Sequence, residues 1–471
     1  MEIEGEEKSI FMGSFANEYF QKDDYDHKEV LCERENDNIE YKNSKYLVPK
    51  MDFTQQYYNL YNERLKQMRP FLKQASQLEW PGVVLLDEIR QLKSDMESVI
   101  VGTVCVTLKK YKSILDESLS VQFNPQTIGS QFLNVNNIQD HLTSEDDIIT
   151  LEDEISKIVL SGNIKSDSIV NGCTIAVRGM MEKHGYFIVT DICFPSIPYH
   201  IPLSSTLPAS TLAPTLALIS GVNIGKTEKL LETQMFVDYI TGILGGEEDH
   251  QLCRNISRVL FVGNSTYINR EPFRRIRLDN KEIENSIEPI TLFDQLISPL
   301  VSSVDVDIIP GRNDASSVLL PQQPLHPFFF TNTSSYSSLH TCTNPCEIDI
   351  YGYHILLCSG FIIEDLKRQL EGTPSTLTIM KYILQWGILC PTAPNSCETY
   401  PFVNKDPFVL SQIPNIFIVG NQQKFETEMY KNKEGASILL ISLPSFSSIP
   451  TAAFLNLKDL TCESIDFETQ L

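Results

Sequence analysis

The sequence predicts a two-domain protein of mixed α+β and α/β class, with a small β-barrel of the OB type followed by a larger α/β layered unit. Three observations carry this expectation. Between Ser98 and Leu203, about five short β-branched runs are separated by turns such as Ser161-Gly162-Asn163 and Lys183-His184-Gly185, the texture of a small Greek-key barrel. Prolines then recur at 195, 198, 202, 208 and 214 and mark a linker. Beyond the linker, aliphatic strands alternate with helical periodicity, as in layered α/β units.

Taken in order, residues 1–45 are acidic, rich in Asn, Asp and Lys and poor in aliphatics, and read as a disordered tail. Residues 46–203 read as a helix plus the barrel, and 204–471 as the α/β unit. From Phe53 to Leu72, the positions Tyr57, Leu60, Tyr61, Leu65, Met68, Phe71 and Leu72 fall on one helical face. The barrel strands are expected at Val99–Val106, Ile148–Leu151, Ser156–Leu160, Ile169–Val177 and Tyr186–Cys193, with Gly102 bending the first. In the α/β unit, strands are expected at 216–219, 259–262, 306–309, 347–350, 353–358, 416–419, 437–443 and 454–457, and helices at Thr227–Ile243 and Ile290–Val301. Phe328-Phe329-Phe330 is expected to bury as a strand. Trp80 and Trp386 are expected to anchor the core or a domain interface.

Composition narrows the function classes. Of 471 residues, 42% are hydrophobic and 21% charged, enough for a sizeable core. No apolar run reaches the length of a membrane span, and the acidic N-terminus lacks the layout of a secretion signal, so an intracellular protein is expected. Net charge is −23; residues 1–40 hold 13 acids and 4 bases, and the rest 48 acids and 34 bases. Such a surface repels a duplex, so no direct sequence-specific DNA binding is expected. Arg270, Arg274, Arg275 and Arg277 form the one local basic run noted, read as a solvated loop or strand edge. Eleven scattered cysteines without a Cys-x-x-Cys pair point to reduced thiols. His340, Cys342 and Cys346 fall short of a zinc set for want of a second close pair.

Two constellations at strand ends resemble reactive sites, and both fail on chemistry. Gly221-Val222-Asn223-Ile224-Gly225-Lys226-Thr227 approximates a phosphate-cradling loop, but its first glycine is one residue too close to the second. The turns Ser220-Gly221-Val222-Asn223, Gly263-Asn264-Ser265-Thr266-Tyr267, Gly311-Arg312-Asn313-Asp314 and Gly420-Asn421-Gln422-Gln423 have the spacing of a two-metal phosphoesterase. Two cations a few Å apart need several carboxylates and imidazoles. The glycines are present and those ligands are not.

These residues carry a resemblance. With Ile309-Pro310-Gly311-Arg312-Asn313-Asp314, Leu320-Pro321-Gln322-Gln323-Pro324-Leu325-His326-Pro327, Thr343-Asn344-Pro345, Pro391-Thr392-Ala393-Pro394 and Tyr400-Pro401-Phe402, the chain resembles the non-catalytic B-subunit family of replicative DNA polymerases, in its delta-type form, from about Tyr57 onward. The resemblance implies an OB barrel joined to a calcineurin-like, metallophosphoesterase-like sandwich whose site is inactivated. Matched position by position, the family's metal ligands fall on Gly221, Asn223, Asn264, Tyr267, Arg312, Asn313, Asp314, Ser359, Asn421 and Gln423, where one carboxylate and no histidine remains. No metal, no cofactor and no catalysis are therefore expected. The implied role is a nuclear scaffold joining the C-terminal cysteine-rich module of the delta-type catalytic subunit to a third subunit, with an indirect link to the sliding clamp and no membrane contact. Interface residues have no transferable motif. Two other readings stay open: a phosphodiesterase using Asp314, Asn264 and His326, and a single-strand nucleic-acid binder acting through the barrel.

Overall fold

The computed structural model describes residues 39–107, 147–164, 167–183, 185–200, 214–268 and 280–469, with side chains of 280–286 left aside. Strands β1 (Ile39–Tyr41), β2 (Val84–Leu85), β3 (Glu97–Thr107), β4 (Ile148–Glu152), β5 (Lys157–Gly162), β6 (Thr174–Met181) and β7 (Tyr186–Cys193) come first, with helix α1 (Tyr58–Glu79) between β1 and β2. Strands β2 to β7 form a sheet in the order β2-β3-β4-β5-β7-β6, which β3–β6 pairing closes into a barrel. Closure brings β3 and β4 so near at Gly102 that a Cβ there would lie 2.6 Å from the Glu152 carbonyl oxygen. Only glycine fits that bend.

The second unit contains β8 (Thr215–Ile219), α2 (Leu230–Ile240), α3 (Glu247–Asn255), β9 (Ile256–Val262), α4 (Asn280–Ser303), β10 (Asp305–Ile309), β11 (Leu339–Thr341), β12 (Cys346–Ile350) and β13 (Tyr353–Cys358). It continues through α5 (Phe361–Gln369), α6 (Thr376–Trp386), β14 (Ile416–Gln422), β15 (Glu426–Lys431), β16 (Ser437–Pro444), β17 (Thr451–Asn456) and β18 (Thr461–Asp466). Two mixed sheets result, ordered β1-β12-β13-β14-β16-β15 and β11-β10-β9-β8-β17-β18.

The period-2 alternation of side chains sorts these strands into layers. Leu216 and Leu218 of β8, with Ile355 and Leu357 of β13 and Ile416 and Ile418 of β14, fill a core between the sheets. Their neighbours Ala217 and Ile219 face outward to Phe236 of α2 and Phe293 of α4. On the other sheet, Leu356, Cys358, Phe417 and Val419 face outward into a third core shared with α5, α6, α1 and the barrel itself. Barrel and sandwich are therefore fused through one hydrophobic interior.

A buried arginine helps to tie this seam. Arg64 of α1 is fully buried, pairs with Asp406 at 2.6 Å, and donates to the carbonyl oxygens of Gly172 (3.2 Å), Pro391 (2.7 Å) and Ala393 (3.0 Å). Trp386 is buried and its indole N–H reaches the Ser168 carbonyl; Trp80 is buried and donates to Asp191. Both tryptophans serve as the anchors expected of them.

Several expectations need correction. Ile39–Tyr41, placed in the tail, is a strand paired antiparallel with β12. It is pinned by Tyr41 to Asp307 (2.6 Å), by Lys42 to Asp349 and by Lys45 to Glu347 (2.7 Å). Tyr46 and Val48, assigned to the barrel side, bind Glu347 and Gln323 of the sandwich. Helix α1 starts five residues later than expected and runs past Pro70 to Glu79, because burial of Leu72, Ala75 and Ser76 outweighs one missing N–H. The strand expected at Ile169–Val177 begins at Thr174, the segment before it being a turn at Gly172. The helix expected to reach Ile243 ends at Ile240, and a separate helix α3 follows Gly246. Phe328–Phe330 is no strand: Pro327–Phe329 is a 3-10 turn capped by the His326 ring, Phe328 is 86% exposed, and Phe330 alone is buried. The arginines at 270–277 and the remaining tail residues lie outside the described residues.

Candidate functional site

Parallel strands align their C-terminal ends, so the turns after β8, β9, β10 and β13 and the end of β14 converge on one edge of the sandwich. Three of these turns place an asparagine in the left-handed region: Asn223 (φ 51°), Asn264 (φ 54°) and Asn421 (φ 57°). Asparagine tolerates this conformation because its short amide bonds locally. The turns are locked to one another through the backbone: Gly221 N–H donates to Gly263 O, and Asn223 N–H to Asn264 O, both at 2.9 Å.

The side chains form one amide network. Asn313 Nδ2 donates to Asn223 Oδ1 and Asn313 N to Asn264 Oδ1, each at 2.9 Å. Asn223 Nδ2 donates to Gly221 O (3.1 Å) and Ser447 Oγ (3.0 Å). Asn421 receives its place from three bonds, N–H to Ser220 Oγ (2.7 Å) and Nδ2 to Ser359 O (2.9 Å) and Val262 O (3.3 Å). Ser359 is clamped in turn by Asn344, whose Nδ2 donates to Ser359 Oγ (2.6 Å) and whose Oδ1 accepts from Ser359 N (3.1 Å).

Asp314 is fully buried and saturated. It accepts from Thr266 N (2.7 Å), Thr266 Oγ1 (2.9 Å), Gly311 N (2.7 Å) and Ser265 N (3.3 Å). Burial pushes its carboxyl above the usual carboxylate range even though these donors pull it down. It is a staple between the β9 and β10 turns. The remaining expected positions stand apart from the network's interior. Tyr267 is half-buried and faces the Lys226 ammonium at 4.8 Å; Arg312 is exposed over the Phe361 ring at 4.6 Å; Gln423 is exposed.

Sequence reasoning brought together Gly221, Asn223, Asn264, Asn313, Asp314, Ser359 and Asn421, and the structure joins them. It missed Gln322, Ser445 and Ser447. Gln322 donates to Gly311 O (3.0 Å) and accepts from Asn344 (2.7 Å), while Ser445 Oγ donates to Gly221 O (3.1 Å). A buried glutamine between prolines was a signal for the first; the two serines carry none.

This arrangement is a floor of neutral amides and hydroxyls bonded mostly to one another, with Asn421 Oδ1 and Ser265 Oγ left without a hydrogen-bond partner. Among the described residues, no three His, Cys, Asp or Glu side chains are placed to hold a metal ion. His326 does not join Asp314 and Asn264: its Nδ1 accepts from Phe328 N at 3.2 Å and its ring lies on Phe328. At the Cys342/Cys346 pair, the neighbouring thiol and burial push the Cys342 thiol well up, away from the thiolate a metal requires. His340 packs against Tyr41 instead, 5.6 Å between ring centres. The described part of the barrel exposes the large hydrophobics Met180, Tyr186 and Ile188 together with Lys157 and Lys183.

Comparison with known proteins places these features in a family. Residues 56–192 match the family model described as DNA polymerase delta subunit OB-fold domain, and residues 216–427 match the one for the DNA polymerase alpha/epsilon B-subunit. The DNA polymerase delta small subunit of Oryza sativa subsp. japonica is 34% identical over 88% of this chain and 94% of its own length. The protein of the same name from Arabidopsis thaliana is 34% identical over 88% of this chain and 92% of its own. The DNA polymerase II small subunit of Methanocaldococcus jannaschii is 22% identical over 77% of this chain and 55% of its own.

Proposed function

The chain belongs to the DNA polymerase delta small-subunit family, and on that premise we propose that it works as a non-catalytic scaffold, built as an OB barrel fused to a calcineurin-like sandwich with an inactivated phosphoesterase site. The observation that carries the non-catalytic part is the amide floor. Neutral Asn223, Asn264, Asn313 and Asn421 cannot offset two divalent charges, and the one carboxylate, Asp314, is consumed by four donors.

On this reading the protein joins the C-terminal cysteine-rich module of the delta catalytic subunit to a third subunit that reaches the sliding clamp, in the nucleus. Its contribution is physical. Holding clamp contact and polymerase in one assembly makes rebinding to a primer end effectively intramolecular, which raises processivity without new chemistry. A net charge of −23 suits a protein that meets other proteins and leaves DNA to its partner.

The test is co-expression with the cysteine-rich module of the matching catalytic subunit, followed by size-exclusion chromatography. Co-elution as a 1:1 complex that survives moderate salt supports the scaffold. Separate elution of two folded proteins, or manganese-dependent cleavage of a phosphodiester by the purified chain, overturns it.

A further inference from the structure

One surface of the described fold is chemically out of character for its position. Leu47, Met51, Phe53, Tyr57, Tyr58 and Val403 are all exposed, Phe53 by 58% and Tyr58 by 60%. They lie on the segment 47–58 and beside Phe402, two stretches that ring contacts and hydrogen bonds join. Phe53 meets Tyr400 edge-on at 5.6 Å, Tyr400 meets Phe402 at 5.1 Å, and Asp52 N–H donates to Tyr400 Oη at 2.6 Å. An apolar stripe of this extent on an otherwise acidic protein marks a contact surface.

Two lysines frame it. Lys405 lies 5.6 Å from the Phe402 ring and donates to Lys45 O at 2.6 Å; Lys50 is exposed on the same segment. Lys45 pairs with Glu347. Among the described residues, neither Lys50 nor Lys405 has a carboxylate at ion-pair distance. Burial and the nearby Lys45 lower the affinity of Lys405 for its proton, a cost that an anion placed beside it would relieve. The one acid in the stripe, Asp52, is engaged with Thr54 N and Oγ1.

A segment of complementary composition precedes the stripe in the sequence. Residues 1–38 hold 12 acids and 4 bases, with Phe11, Phe15, Tyr19, Phe20 and Tyr25 among them. They end at β1, whose Ile39 comes eight residues before Leu47. At about 3.3 Å per extended residue, the segment reaches any part of the stripe. Tethering gives it an effective concentration on the order of millimolar. A second copy is a poorer occupant, because it would bring the same lysines and a net charge of −23 to the same face.

We infer that residues 1–38 dock in cis on this stripe, with their aromatics against Phe53 and Tyr58 and their carboxylates against Lys50 and Lys405.

The test uses the full chain with a benzophenone amino acid in place of Tyr58, irradiated free of partners and analysed by peptide mass spectrometry. The expected result is an intrachain crosslink to a peptide within residues 1–38. Its yield drops about fivefold or more in the Lys50→Glu/Lys405→Glu variant, and falls likewise with added salt in the unaltered chain. The salt series keeps the inference testable should the charge-reversed variant fold poorly. Absence of a crosslink to residues 1–38, an interchain crosslink that grows with concentration, or a yield indifferent to both charge reversal and salt overturns it.

Discussion

Replacing Arg64 with methionine should separate what the fold currently unites. The substitution leaves the Asp406 carboxylate wholly buried with the Phe408 N–H as a donor, and breaking a buried pair by removing one partner costs about 3–5 kcal/mol. The carbonyls of Pro391, Ala393 and Gly172 lose their guanidinium donors as well, at about 1 kcal/mol each when left unpaired. A total above about 4 kcal/mol is therefore expected. Because those carbonyls lie on the barrel and on the sandwich, the loss should also divide one unfolding transition into two. Urea denaturation checks both points, followed by fluorescence from Trp80 in a Trp386→Phe background and from Trp386 in a Trp80→Phe background. Adding Asp406→Asn to Arg64→Met removes the orphaned charge, so the double variant should recover about 2 kcal/mol. A loss below about 1 kcal/mol, or a double variant whose effects simply add, would refute the reasoning that Arg64 stitches the two units electrostatically.

Other perturbations test the strand-end network, the N-terminal strand and the aromatic turn. Asp314→Ala strands the buried N–H groups of Thr266, Gly311 and Ser265 and should cost about 3 kcal/mol by urea denaturation. For Asp349, burial raises the carboxyl pKa, but bonds from His354 and Lys42 outweigh it and hold it below its ordinary value. A depressed folded value gives stability that is present above the unfolded carboxylate range and lost as pH falls through the folded one. Amides of β1 should accordingly lose hydrogen-exchange protection on acidification from about pH 5 to about pH 3, and Asp349→Asn should flatten that dependence. Phe328→Ser should leave stability within about 0.5 kcal/mol, whereas Phe330→Ala, two residues on, should cost about 3–5 kcal/mol in the same urea assay.

What could be seen in the sequence follows from where each signal is stored. Strands such as Tyr186–Cys193 and Tyr353–Cys358 advertise themselves locally through β-branched and aromatic runs, and their bounds match expectation. The strand Glu426–Lys431 carries Glu, Thr and Lys because it is a half-exposed sheet edge, and polarity hid it. Ile39–Tyr41 was invisible because its partner, Ile348–Ile350, lies about three hundred residues away and the residues before it are acidic. Helix α6 had usable punctuation, with Ser375 capping its start and Gly387 ending it in the left-handed conformation; attention to caps would have found it. At the candidate site, glycines and asparagines were legible because the turns demand them. Ser445 and Ser447 were not, since nothing local distinguishes a serine that will bond across 222 and 224 residues to Asn223.

The closeness of packing around Gly221 sets an order of operations for anyone wishing to install a metal centre here. A side chain at 221 would begin 2.4 Å from Ser445 Oγ and 2.9 Å from the Ser445 Cα, on a backbone with φ of +66°. An aspartate introduced first would therefore meet main chain and not a vacancy. The turn carrying Ser445, just after β16, would have to be remodelled before any ligand is changed, and each of the asparagines would have to release its neighbour at the same time. Substitutions beneficial as a set are damaging one by one, so stepwise selection for metal binding would stall at its first move.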